Sequence, residues 1–276
     1  MSSRSLRLGV LAGAVAAMFS AATEARELRV CADPNNLPFS NERGEGLENK
    51  LVEIVAEELG AEVKYTWWAQ RRGFLRNTLN AGLCDLVPGV PANLEMLRTA
   101  APYYRSTYVF VTRAGEPAPT SMEDPMLRER KVGVQLIGDD GANTPPAHAL
   151  ANRGIVENVR GYSIYGDYRQ ANPPARILEA VASGEIDVAV VWGPLGGYFA
   201  PRQPVPLVIT PVHPAFDGPQ LPMVFDISMG VRKRDAALWA EIDAALARRR
   251  ADVDAVLAEY GVPRADAPQK HAEVRP

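Results

Sequence analysis

Residues 29–40 read RVCADPNNLPFS: a short apolar run (Leu28, Val30) opens into a polar loop that is punctuated by Pro34 and Pro38 and ends in Phe39. In an open α/β sheet, ligands sit beyond the carboxyl ends of the strands. A first strand that empties into Asp33, Asn35, Asn36 and Phe39 would therefore present those side chains to whatever the protein holds. The same residues also suit an ordinary capped turn, because Asp, Asn and Pro favour turns for purely local reasons. Taken alone, the loop leaves both readings open.

Outward from the loop the chain alternates helix and strand. Leu51, Ile54, Val55 and Leu59 recur at helical spacing, and Gly60 ends that helix ahead of a strand through Val63 and Tyr65. A second helix is expected over 72–80; it ends at Gly82 and enters a strand over 84–87. Parallel strands joined by helices require right-handed crossovers, so the run predicts an α/β, doubly wound sheet. The segment NTLNAGLCDLV (77–87) has a counterpart in EAVASGEIDVAV (179–190), where Gly184 and Asp187 match Gly82 and Asp85. Any helix ending in glycine before a strand gives such a match, but this copy sits inside a second α/β run: 127–138, a helix near 147–152, and a strand over 186–192. Two lobes of like architecture follow.

PYYRSTYVFVTR (102–113) is β-branched, aromatic and alternating, as suits a strand that carries the chain between lobes. FDISMGVRK (225–233) reads as the return strand, with helices after it over 235–248 and 251–260. The expected plan is lobe 1 from 27–112 plus 225–262, lobe 2 from 113–224, and a frayed tail over 263–276.

Composition excludes several classes. The 276 residues are 47% hydrophobic and 23% charged, with a formal net charge of -3, so nothing attracts the chain globally to nucleic acid or an anionic membrane. Residues 1–25 carry Arg4 and Arg7, an apolar run from Leu8 to Phe19, and then Ser20, Ala22 and Ala25. This is the pattern of a secretory signal peptide, too short for a membrane anchor, which takes about 20 apolar residues. The expected mature protein is soluble and exported and begins between Thr23 and Glu27. Export makes a disulfide the favoured reading of Cys31 and Cys84, joining the first and third strands with α-carbons about 5.5 Å apart. Its loop closure is worth up to about 4 kcal/mol. The rival reading is two buried free thiols.

Catalytic patterns are lacking. His148, His213 and His271 show no metal spacing, and the glycines of 138–141 and 193–197 lack the lysine of a phosphate loop. Asp139 and Asp140 suit a cation site or a helix cap, capping being the commoner use. No enzyme activity, cofactor or metal site is expected.

Taken together, ADPNNLPFS, ENKLVEIVAEELG, AGLCDLVPGV and PYYRSTYVFV resemble the family 3 periplasmic solute-binding proteins. The resemblance implies a two-lobed periplasmic binding protein fold of type II, each lobe a mainly parallel sheet flanked by helices, with two crossover strands. More narrowly, RVCADPNNLPFSNERGEGLENKL, YTWWAQRRGFLRNTLNAG and LCDLVPGVP resemble the quinoprotein-dehydrogenase-associated subgroup, the MxaJ and XoxJ type. That implies a monomeric accessory protein of a PQQ-dependent methanol dehydrogenase, with the cytochrome c of that system as a further candidate partner. The alternative is a transport receptor for a small solute other than an amino acid.

The departures are informative. Amino-acid-binding members carry an arginine after the third strand's glycine to hold the ligand carboxylate; here Met96 stands at that position, with Arg98 two residues late. Where those members place an acid for the ammonium, this chain has Trp192 and Gly193. Aromatic and basic residues stand in for the clamps: Trp67, Trp68, Gln70, Arg71, Arg72, Tyr103, Tyr104, Arg105 and Trp192, with Phe39, Asn35, Asn36, Asp33 and Asp139 as further cleft candidates. Each of these also suits plain packing between lobes. Because a buried charge without a partner costs several kcal/mol, no standard amino acid is expected to bind with micromolar affinity. A calorimetric screen of the twenty amino acids checks this, and one clear micromolar binder would refute it.

Overall fold

The computed structural model describes residues 26–137, 143–164 and 168–265, so the expected signal segment and Asp139 lie outside the described residues. Strand β1 (Arg26–Ala32) leads through the site loop to helix α1 (Leu47–Glu58), whose buried face carries Leu47, Leu51, Val52 and Val55. The helix start is pinned by Asn49, whose side-chain carbonyl accepts the N–H groups of Gly46 (3.0 Å) and Asn41 (3.1 Å). Gly46 is required there, because a Cβ would fall 2.0 Å from the Phe39 carbonyl oxygen. Strand β2 (Ala61–Trp67) then pairs in parallel with β1, from Arg26↔Ala61 to Ala32↔Trp67.

Two local elements differ from expectation. The helix over 72–80 is a single turn, α2 (Phe74–Asn77). Gly73 enters it with φ +84°, and Thr78 ends it by donating its hydroxyl to the Phe74 carbonyl at 2.6 Å. The third strand, β3 (Val87–Pro91), begins after Cys84, which therefore lies in the connection. The Cys31–Cys84 disulfide still forms, with α-carbons 5.6 Å apart. A single parallel bridge, Val30↔Leu86, brings the connection alongside β1.

The chain continues through β4 (Tyr104–Arg113), β5 (Val132–Leu136), α3 (Pro145–Asn152), β6 (Val159–Ser163), α4 (Arg176–Ser183), β7 (Val188–Trp192), α5 (Gly193–Phe199), β8 (Leu207–Pro211), β9 (Val224–Val231), α6 (Ala236–Arg248) and α7 (Arg250–Glu259). Strands β4 and β9 are the crossing pair, antiparallel from Tyr104↔Ile227 to Thr107↔Val224. Beyond Thr107, β4 pairs antiparallel with β7 and β8, and β5 lies parallel between β7 and β6. At its other end β9 pairs with β3. Helices α6 and α7 return Ile242, Leu246, Val253 and Leu257 to the core that holds Val30, Leu51 and Val55. Of the expected tail, the described residues 263–265 are tied to β4: the Ser106 hydroxyl donates to the Pro263 carbonyl (2.6 Å), and the Ala265 N–H to the Arg105 carbonyl (3.0 Å).

The internal repeat has a structural counterpart. Gly82 and Gly184 share a left-handed backbone, φ +79° and +80°. Arg232, just past β9, donates to the carbonyls of Leu79 and Cys84 and to Asp85. Arg113, ending β4, donates to the matching carbonyls of Val181 (2.6 Å) and Ile186 (3.0 Å) and reaches Asp187 at 3.5 Å. Each lobe thus has an arginine at the end of a crossing strand that satisfies the glycine turn. Arg232→Ala leaves the buried Leu79 and Cys84 carbonyls without this donor and removes one of the two arginines that hold Asp85, and is expected to cost about 3 kcal/mol. Arg29→Ala removes a half-exposed partner of the same Asp85 and should cost under about 1 kcal/mol; denaturant midpoints of the two variants test the difference.

Candidate functional site

The loop after β1 is a built element. Asp33 is buried, and its carboxylate accepts the N–H of Asn35 (2.9 Å), the N–H of Gln70 (2.7 Å) and the hydroxyl of Tyr168 (2.5 Å). The Asn35 amide donates to the Gln170 carbonyl at 2.8 Å, and the Arg71 guanidinium lies over the Tyr168 ring, 5.3 Å from its centroid. Leu37 is buried in the cluster of Ile177, Leu178 and Leu195. A loop rooted in the first lobe therefore has its apex packed in the second. Asp33 and Asn35 hold this bridge across the cleft.

Behind the bridge lies a chamber of about 370 Å³. Four of the expected residues line it: Asn36, Phe39, Gln70 and Trp192. Tyr108, Gln135, Ile137, Asn143, Thr144, Pro145, Ile164, Pro174 and Leu195 complete the described wall, which carries no ionisable group except the Tyr108 phenol. Trp192 ends β7, with its ring edge-on to Tyr108 (5.3 Å between centroids) and Phe225 (5.8 Å). The Asn36 amide donates to the Gln70 side-chain carbonyl at 3.2 Å. Such a wall offers aromatic faces and amide donors and acceptors. On the outer side of the loop a second cavity, about 430 Å³, is lined by Glu42, Arg43 and the 168–172 segment.

Other expected residues lie elsewhere. Tyr103 belongs to the first lobe's core, 2% exposed, its hydroxyl accepting the Gly89 N–H (3.0 Å); it precedes β4, and its ring fills the lobe interior instead of facing the cleft. Tyr104 is buried in the core cluster against which Trp192 packs. Arg105 pairs with Asp226 (3.0 Å) beside His213 and does not line the chamber. Trp67 stacks on Tyr65, centroids 4.4 Å apart, while Trp68 is 44% exposed and Arg72 is exposed after it. Met96 points to solvent, and Arg98 lies over the Trp239 ring at 5.0 Å, so neither provides a carboxylate clamp. Sequence reasoning missed Asn143 and Thr144, which the rule that sites lie past strand carboxyl ends would have found after β5. It also missed Tyr168, which no local pattern marks.

Residues 28–262 match the bacterial extracellular solute-binding proteins, family 3. The chain belongs to that family. It is 37% identical over 258 residues to Protein MoxJ of Methylorubrum extorquens, covering 88% of this chain and 83% of that one. The crystal structure of the periplasmic binding protein XoxJ from Methylobacterium extorquens AM1 superposes with a TM-score of 0.70 at 37% identity, covering 87% of this chain and all of that one. MxaJ from Methlophaga aminisulfidivorans gives 0.74 at 26% identity over 86% and 99%. Within family 3 the chain is thus of the MxaJ and XoxJ type.

This solute-binding protein also keeps an acid beneath its cleft. Glu48, in the first turn of α1, is 6% exposed, and its carboxyl lies so close to Gly89 that a Cβ there would fall 1.8 Å from Oε1. Burial, and then the Asp33 charge, push its pKa up to about 8. Between the unfolded value near 4.5 and about 8 the folded state therefore binds the extra proton, so this group's contribution to stability falls as pH rises through that window. Glu48→Gln removes the penalty: relative to wild type, the variant should gain stability steadily from pH 5 to pH 8. Denaturation series at several pH values measure this, and a pH-independent difference would contradict it.

Proposed function

We propose that this protein is a periplasmic accessory partner of a PQQ-dependent methanol dehydrogenase, a binding protein with no catalysis of its own. It acts as a monomer whose cleft, between a lobe of 27–112 plus 225–262 and a lobe of 113–224, takes a polypeptide segment during maturation or activation. The cytochrome c of the same system is a further candidate partner. The observation that carries this reading is Trp192, set in the chamber wall where amino-acid receptors place an acid. The described wall around it offers amides and aromatic faces and provides no ionic clamp. A protein segment needs desolvatable aromatic surface and donors for main-chain carbonyls, and the wall supplies both. The similarity to MoxJ, XoxJ and MxaJ supports the same role. The rival, a receptor for a membrane importer, rests on the fold alone.

A deletion strain complemented with wild type, Trp192→Ala or Arg71→Ala, assayed for growth on methanol and for periplasmic dehydrogenase activity, tests the reading. The deletion should lose activity, wild type should restore it, and Trp192→Ala should restore it poorly, because a central aromatic anchor contributes about 2 kcal/mol or more to binding. Full activity in the uncomplemented deletion removes the accessory role.

A further inference from the structure

Outside the chamber, the surface from Thr66 to Cys84 is basic. It contains Arg71, Arg72 and Arg76 and no Asp or Glu, in a chain whose net charge is -3. All three arginines are exposed. Trp68 and Leu83 stand out beside them, 44% and 47% exposed. Met96, Val156 and Phe216, also exposed, each neighbour an acid in sequence, Glu95, Glu157 and Asp217, while the exposed Val208 sits in the uncharged strand β8.

The patch is also rigid. The Thr66 hydroxyl donates to the Leu83 carbonyl at 2.9 Å, the Trp68 N–H donates to the Ala32 carbonyl at 3.0 Å, and the Cys31–Cys84 disulfide fixes the connection that carries Leu83. A rigid aromatic and aliphatic pair loses little entropy when it is covered. Trp and Arg are the residues that most often dominate protein interfaces.

We propose that Trp68, Leu83 and the flanking Arg72 and Arg76 form a docking face for an acidic protein surface with an apolar recess for the indole. This rests on the proposed function and names where the partner first lands. Arg71 links the face to the Tyr168 bridge, so a protein docked here sits at the mouth of the cleft. Charge complementarity favours an acidic partner, since the arginines attract it at long range and the apolar pair then holds it at short range.

The test is surface plasmon resonance of the mature protein on immobilised, purified methanol dehydrogenase from the same periplasm, at low and at several-fold higher salt. Trp68→Ala should weaken binding roughly tenfold or more. Arg72→Glu combined with Arg76→Glu should weaken it at low salt and flatten its salt dependence. Both alter exposed side chains, and unchanged thermal unfolding confirms that they fold. Wild-type affinity in both variants overturns this docking face and leaves the proposed function standing, whereas no binding by the wild type removes that function and this partner together. A Trp68-dependent dimer in sedimentation, or Trp68-dependent capture by phosphatidylglycerol vesicles, would assign the face to a second copy or to a lipid surface and overturn the proposal.

Discussion

The antiparallel pairing of the two crossing strands, Tyr104–Thr107 against Val224–Ile227, is the constraint on which the rest depends. One continuous strand serves both lobes. Tyr104 is buried in the first core, Val109 and Val111 in the cluster with Leu195, and Tyr108 and Phe110 in the cluster with Val134. The Ser106 hydroxyl donates to the Pro263 carbonyl and the Thr107 hydroxyl to the Met223 carbonyl, as burial of a polar group favours, whereas the buried Thr112 hydroxyl has no partner among the described residues. Because side chains alternate along a strand, a slip of one residue would exchange every core and cleft position. The register of the same strand against β7, which pairs Trp192 with Tyr108, decides that the two meet in the chamber wall.

The lobes are tied on both faces of the cleft. At the front, Asp33 and Asn35 engage Tyr168 and Gln170, and Leu37 enters the second lobe's core. At the back, Tyr260, just past α7, stacks on Tyr198 of α5 with centroids 5.5 Å apart and planes within 15°. Gly197 and Gly261 pass so closely that a Cβ on Gly197 would lie 1.9 Å from the Gly261 carbonyl oxygen. These ties hold the amide and aromatic walls in place before anything binds, which lowers the ordering cost of association. The bridge also divides the cleft into an inner chamber with an uncharged described wall and an outer, charged cavity.

Much of this was legible because it is local. Apolar spacing placed α1, α6 and α7 to within a residue or two, alternation marked the first crossing strand, and the glycine and aspartate of the repeat marked two equivalent turns. The disulfide was legible too, although Cys84 was assigned to a strand it only precedes; one bridge at Leu86 suffices to bring the α-carbons into range. The helix over 72–80 failed because Gly73 and Thr78 confine it to one turn, a competition between backbone and side-chain bonding that apolar spacing does not report. The direction in which Tyr103 points was equally invisible, since it depends on how the chain enters β4.

The sequence by itself determined the element order, the two-lobed α/β plan and the cysteine pair. Each of these is written in residue type and short-range spacing. Only the tertiary structure decided which candidates share a wall. It set Asn36, Phe39, Gln70 and Trp192 around one chamber, turned Tyr103 into a core and Arg105 onto Asp226, and brought Tyr168 across to Asp33. The reason is physical: these contacts join residues far apart in the chain, and their partners are chosen by sheet register and lobe packing, which no local pattern encodes.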